Sequence, residues 1–147
     1  MSYNASMIVS LPWPPKATRP NARAHWAAVH RARSRYRADA RILAIAAGAR
    51  DAGKALPPHA ALHVTLRVYP PDRRRRDWDN IVASLKSGLD GIADALGVDD
   101  SRFRLSIEMA EPVAGGRIDV EVETCRDCAL TAAMTGKADE GAVNAEA

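Results

Sequence analysis

Three segments in which apolar and polar residues alternate constrain the fold of this chain most strongly. They cover residues 62–69, 103–109 and 118–123, and in each the apolar side chains fall on every second position. Successive side chains of a β-strand point to opposite faces, so this period predicts three strands, each with one buried face. Gly115 and Gly116 precede the third segment and favour a hairpin between the last two strands, with a loop longer than two residues.

The N-terminal part of the chain adds a further strand and a basic loop. Residues 7–11 form a short apolar run that is followed by prolines, which cannot donate to a sheet ladder, so the run predicts a first strand. Residues 16–30 are rich in basic side chains and are interpreted as a loop.

Two helices are predicted between the strands. The first covers residues 31–47 and is expected to bury Tyr36, Ile42, Leu43 and Ile45. The second runs from about residue 80 to residue 96, and Gly97 ends it. Its apolar stripe consists of Ile81, Leu85, Leu89, Ile92 and Leu96. The order β-α-β-α-β-β predicts an α+β fold, in which a small mixed sheet of about four strands carries two helices on one face.

The length of 147 residues suits one domain, which we assign to residues 1–124. Residues 125–147 lack a periodic apolar face and are predicted to be a disordered tail. Cys125 and Cys128 form a single C-x-x-C pair, whereas a structural zinc site needs four ligands, so no role is assigned to them.

The chain is predicted to be cytoplasmic. No apolar run approaches the roughly 18–20 residues that span a bilayer. Residues 1–10 lack the basic and apolar regions of a secretory signal.

Positive charge is concentrated in the first third of the chain. The net charge is only +3, but residues 1–50 carry Lys16 and eight arginines against a single acid, Asp39. Arginine binds phosphate in a bidentate manner, so this bias favours nucleic acid as a partner. An arginine-rich, GC-biased genome is the alternative explanation.

The segment of residues 71–80 combines two kinds of chemistry. Four arginines, Arg73, Arg74, Arg75 and Arg76, run directly into Asp77 and Asp79. Arginines attract phosphate, and paired carboxylates attract a divalent cation. In an extended chain Asp77 and Asp79 would point the same way, and Asp99 or Asp100, just before the third strand, could close a three-carboxylate cluster suited to Mg²⁺ or Mn²⁺. Lys16, Arg19 and Arg23 are predicted to add DNA contacts from the N-terminal loop.

Each of these acidic residues also has a structural interpretation. Asp79 could cap the following helix, and residues 99–101 could be a polar turn. Lys86 lies seven residues after Asp79, about 20° short of two helical turns, and shares its face. It could contact a phosphate or be a solvated surface lysine. For Trp78 we favour packing, in the core or in a dimer interface, over base stacking.

With these motifs in view, the chain resembles the RusA family of Holliday-junction resolvases, the phage-associated crossover-junction endodeoxyribonucleases. The matching pieces occur in the family's order and span residues 7 to about 123. They are Leu11-Pro12-Trp13-Pro14-Pro15, the run from Pro71 to Asn80, Asp99-Asp100-Ser101, and Gly115-Gly116-Arg117.

The resemblance implies that Asp77, Asp79 and Asp100 bind the metal, with Asp99 ranked behind Asp100. The family's essential lysine falls on Ala83, but its Lys-x-x-apolar-Asp pattern recurs at residues 86–90. A three-residue insertion would transfer the lysine's role to Lys86. A homodimer is implied as well, because a resolvase cuts two strands related by two-fold symmetry.

The function expected from the resemblance is Mg²⁺-dependent resolution of four-way DNA junctions by paired phosphodiester hydrolysis, in recombination and repair. Mn²⁺ is a possible substitute, and the setting is a bacterial or phage protein associated with the nucleoid. The alternatives are a junction-binding protein without catalysis, or a nuclease for other branched DNA such as flaps or forks.

Overall fold

The computed structural model describes residues 6–124 and has an α+β fold built on a four-stranded mixed sheet. The strands are β1 (Met7–Pro12), β2 (Leu62–Tyr69), β3 (Phe103–Met109) and β4 (Arg117–Thr124). The helices are α1 (Trp26–Ala46), α2 (Ala49–Ala55) and α3 (Trp78–Leu96), and short 3₁₀ turns span Lys16–Thr18 and Asp100–Arg102. The predicted fold class is confirmed. The tail and its two cysteines lie outside the described residues.

The strand order is β1-β4-β2-β3, so the predicted hairpin between the last two strands is wrong. β3 runs parallel to β2, while β4 is antiparallel to both β1 and β2. The connection after β3 crosses the end of β2, where Ala110 N–H donates to Val68 O and Val113 N–H donates to Pro70 O. Apolar pattern alone predicts the strands but not which of them are neighbours.

The stripe of α3 packs on the sheet as predicted. Its five apolar residues are buried against the inner side chains of β1, β2 and β4. Gly97 ends the helix in the left-handed region, with φ 71°. Burial of these apolar side chains is the main force that holds the helix on the sheet.

The first helix differs from its prediction. It begins at Trp26, after His25, whose ring accepts a hydrogen bond from Ala27 N–H, so residues 26–30 are helical. Its buried residues are Tyr36, Ala40 and Ala44, whereas Ile42 is 64% exposed.

The reason for this buried face is the close approach of α3. A Cβ at Gly91 would lie 2.2 Å from the carbonyl oxygen of Arg37, so the two helices admit only small side chains at this point. The short helix α2, which the sequence did not predict, begins after Gly48 and also packs against α3: a Cβ at Gly53 would lie 2.0 Å from Leu96 O.

The helices of the described part of the chain are too short or too polar to cross a membrane.

Candidate functional site

A basic groove of about 770 Å³ lies beside the N-terminus of α3. It is formed by two segments distant in sequence, the loop between β1 and α1 and the loop between β2 and α3. Its charged lining residues are Lys16, Arg19, Arg23, Arg74, Arg75, Arg76 and Asp77. Six of the seven predicted DNA-binding residues therefore surround one cavity. The seventh, Arg73, points to Glu111 with a separation of 3.6 Å and does not line the groove.

Arg76 holds the second loop in shape. Its guanidinium donates to the carbonyl oxygens of Asp72 and Arg74 and to Asp72 Oδ1, at 3.1, 3.0 and 2.8 Å. The pKa of Asp72 lies below its ordinary value because its carboxylate accepts from Arg74 N–H and from Arg76. Arg76 is thus mostly engaged within the loop, whereas the side chains of Arg74 and Arg75 are exposed to solvent.

Trp13 connects this loop to the rest of the fold. The guanidinium of Arg76 lies 5.5 Å from the centre of the Trp13 ring. The same ring packs on the backbone of Gly116, where an added Cβ would come within 2.9 Å of it. Trp13 of the motif Leu11-Pro12-Trp13-Pro14-Pro15 and Gly116 of the pair Gly115-Gly116 therefore meet in one contact.

Because of this contact, we expect Gly→Ala substitutions at two adjacent positions to lower the free energy of unfolding by different amounts. Both Gly115 and Gly116 have positive φ, 78° and 72°, but only a Cβ at Gly116 would meet Trp13. We expect Gly115→Ala to cost about 1–2 kcal/mol of unfolding free energy through backbone strain alone. Gly116→Ala is expected to cost about 1–3 kcal/mol more, because the indole must move. Urea denaturation of both variants measures the difference, and equal losses would contradict the Trp13 contact.

Asp77 and Asp79 lie at the start of α3. Asp77 is the N-cap residue, but its side chain makes no capping hydrogen bond and lines the groove. Asp79 lies in the first turn and accepts from Asn80 N–H at 3.0 Å, so it is not the cap. Both carboxylates are exposed, and the positive end of the helix dipole favours negative charge there. Trp78 is 64% exposed, so it does not pack in the core of the protomer, and its packing in a dimer interface stays a prediction.

Lys86 and Asp100 contact each other. The Lys86 ammonium donates to Asp100 Oδ2 and, at 2.8 Å, to Asp90 Oδ1. The pKa of Lys86 is raised by Asp100 and then by Asp90. Residues 99–101 form the predicted polar turn, in which Asp99 accepts from Ser101 N–H, and this bond lowers the pKa of Asp99.

The expected cluster of three carboxylates is not formed. Within residues 6–124 no three side chains of His, Cys, Asp or Glu stand close enough together to hold a metal ion. Asp79 opens α3, whereas Lys86 lies seven residues further, a rise of about 10 Å, and Asp100 is beside Lys86. The extended geometry assumed for Asp77 and Asp79 also fails, because the helix has already begun at Trp78. What remains is a pair of exposed acids beside the groove.

A second, smaller cavity of about 390 Å³ shares Ser84 with the basic groove. Its polar lining comes from α1, α3 and Thr18: His30, Arg33, Ser34, Arg37, Ser87, Lys86 and Asp90. Arg37 is paired with Asp94 at 2.7 Å. Sequence reasoning did not single out these α1 residues as a site, although all but His30 lie within the predicted helix of residues 31–47. Their spacing over positions 30, 33, 34 and 37 is that of one helical face and could have revealed them.

No family model matches this chain. It is similar to an uncharacterized protein of Xylella fastidiosa (strain Temecula1 / ATCC 700964), with 44% identity over 95 residues. The matched region is 65% of this chain and 61% of that protein, so the chain spans less than two thirds of its relative.

Proposed function

We propose that this protein is a metal-dependent endonuclease that acts on branched DNA, with the four-way junction as its substrate. The observation that carries the proposal is the meeting of two basic segments in one groove beside Asp77. The resemblance to the RusA family supports the same activity, and with it a role in recombination and repair in the cytoplasm of a bacterium.

The groove has the chemistry of a phosphate-binding surface. Exposed arginines such as Arg74 and Arg75 can bind phosphate oxygens in a bidentate manner. The N-terminus of α3, the positive end of the helix dipole, adds to the positive potential. Contacts of this kind position the nucleic acid but do not read its sequence, so the shape of a branched substrate would decide specificity.

The two exposed acids fit a hard divalent cation. Mg²⁺ is usually held by one or two carboxylates together with substrate phosphate and water, so Asp77 and Asp79 suffice when DNA supplies the remaining oxygens. Mn²⁺ prefers the same ligands. The metal would activate a water molecule and neutralise charge on the phosphate.

In this proposal Lys86 and Asp100 hold each other until DNA is present. A phosphate that enters from the groove competes for the Lys86 ammonium, whose pKa is raised by Asp100 and then by Asp90. Transfer of the ammonium to phosphate would free the Asp100 carboxylate. Junction cleavage by Lys86→Ala at the rate of the wild type would contradict this role.

The test of the proposal is a comparison of DNA substrates. The full chain is incubated with a four-way junction, a flap, a fork and a linear duplex of shared sequence, in Mg²⁺, Mn²⁺ or EDTA. We expect paired, symmetric nicks in the junction that require the metal. Preferred cleavage of the flap or fork would support the proposed chemistry and reassign the substrate. Cleavage in EDTA, or the absence of both cleavage and binding, would overturn the proposal.

A junction-binding protein without catalysis is the second candidate. The contact between Lys86 and Asp100 favours it, because it occupies the candidate catalytic lysine and the expected third carboxylate of the metal site. Tight, metal-independent binding of the junction without any nick would select this candidate over the first.

A further inference from the structure

The outer strand β3 leaves one long edge of the sheet without a partner. Its inner edge pairs with β2, and within residues 6–124 no strand pairs with its outer edge. Ala110, directly after β3, donates its N–H to Val68 of β2. Backbone groups alternate along a strand, so Leu105 and Ile107 direct theirs toward the free edge. Free edges of this kind are templates for pairing with another chain.

An apolar row accompanies this edge. The register of β3 against β2 places Phe103, Leu105, Ile107 and Met109 on the side of the sheet that carries the core. The helices do not cover the outer strand fully, and Leu105 and Met109 remain 41% and 54% exposed. The edge therefore presents apolar area as well as backbone groups.

The opposite face of β3 carries a self-complementary charge pattern. Arg104, Ser106 and Glu108 alternate along it. Arg104 is exposed, and its guanidinium donates to the carbonyl oxygens of Ser101 and Phe103, at 2.8 and 3.1 Å. Glu108 is 59% exposed and contacts Arg67 at 3.1 Å.

We propose that two copies of this chain pair antiparallel through β3, with Ser106 on the two-fold axis. In this register Arg104 faces Glu108 of the second copy twice, and on the other face Leu105 meets Ile107 while Phe103 meets Met109. The directions of the backbone groups make Leu105 and Ile107 the hydrogen-bonded pair. Arg104 and Glu108 then form the non-hydrogen-bonded pair, in which side chains lie closer together. The two sheets merge into one continuous sheet.

The choice of a second copy as the partner follows from the symmetry of the pattern. In an isologous interface, if one residue contacts a second residue of the partner, then the second residue also contacts the first residue of the partner. In β3, Arg104 and Glu108 each lie two residues from the small central residue Ser106. Two antiparallel copies of this strand therefore place opposite charges against each other on both sides of the axis. The proposal goes beyond a generic homodimer, because it names the surface and the register.

Two single charge reversals test the register. Arg104→Glu and Glu108→Arg each place like charges opposite one another in their own homodimers, whereas a mixture of the two restores both attractive pairs. By analytical ultracentrifugation of the full chain, we expect the wild type to dimerise. Each variant alone should dimerise at least about tenfold more weakly than the wild type. The equimolar mixture should recover wild-type association. A monomeric wild type, or a mixture no better than its components, would overturn the proposal.

Glu108→Arg also places an arginine beside Arg67 of the same copy, and this repulsion is independent of the register between copies. Cross-linking therefore provides a second test. In a background with Cys125→Ser and Cys128→Ser, Ser106→Cys would bring two thiols together on the axis, at the short Cα separation of a non-hydrogen-bonded pair. Ser10→Cys on the other edge strand, β1, is the matched control. Ser10 bonds to Asp119 and Ser106 bonds to His63, so each substitution removes one side-chain hydrogen bond.

We expect a disulfide-linked dimer from Ser106→Cys alone under mild oxidation. A dimer from Ser10→Cys, from both variants or from neither would contradict pairing through β3. Both tests are run without DNA, so their failure is distinguishable from failure of the proposed nuclease activity.

Discussion

Replacing Asp79 by asparagine is expected to reduce Mg²⁺-dependent cleavage of a four-way junction by at least about 10²-fold. The amide has nearly the same shape but lacks the charge that binds a hard cation. A metal ion contributes several kcal/mol of stabilisation to such a transition state, and each 1.36 kcal/mol is a factor of ten in rate. Binding of the junction should persist in EDTA, because Asp79 repels phosphate when no cation is present. Single-turnover cleavage and a gel-shift titration measure the two effects separately.

The control for this variant is Asp51→Asn. Asp51 is likewise an acidic residue in the first turn of a helix, α2, but it lines neither cavity. Its replacement should leave cleavage unchanged. Wild-type cleavage by Asp79→Asn would remove Asp79 from the proposed metal site. Loss in both variants would mean that the change acts through helix stability and not through chemistry.

Removing two arginines from the groove is expected to weaken binding of every DNA tested. Arg74→Ala combined with Arg75→Ala should lower the affinity for the junction about tenfold or more near physiological salt. The dependence of log K on log salt should become shallower by about 1.8, since each lost phosphate contact accounts for about 0.9. Arg76 is left in place because it holds the loop together. Fluorescence anisotropy over a range of salt concentrations provides both quantities.

Arg31→Ala combined with Arg35→Ala is the matched control. Both residues are exposed on α1 and line neither cavity, and their loss changes the net charge by the same amount. We expect a small loss of affinity and little change in the salt slope. An equal effect of the two double variants would show that the overall charge, and not the groove, attracts the DNA.

Elements with a strong local period could be predicted from the sequence. The alternation in β2 and β4 and the stripe of α3 match the observed burial, because the repeat of side-chain direction is a property of the backbone itself. The buried face of α1 could not be read in this way. Ala40 is buried because α3 presents Gly91 to this helix, a contact between residues far apart in the chain, and Ala44 lies on the same face one turn further.

The same distinction between local pattern and contacts of distant residues applies to the candidate site. Charge and ligand type belong to single side chains, so the sequence shows which residues could bind phosphate or a cation. Which of these residues meet depends on the fold. It brings Lys16 and Arg23 to Arg74, and it places Asp100 at Lys86, away from Asp77. The physical reason is that distances between remote segments depend on which apolar faces are buried together and on the order of strands that results, and neither is encoded in the local pattern.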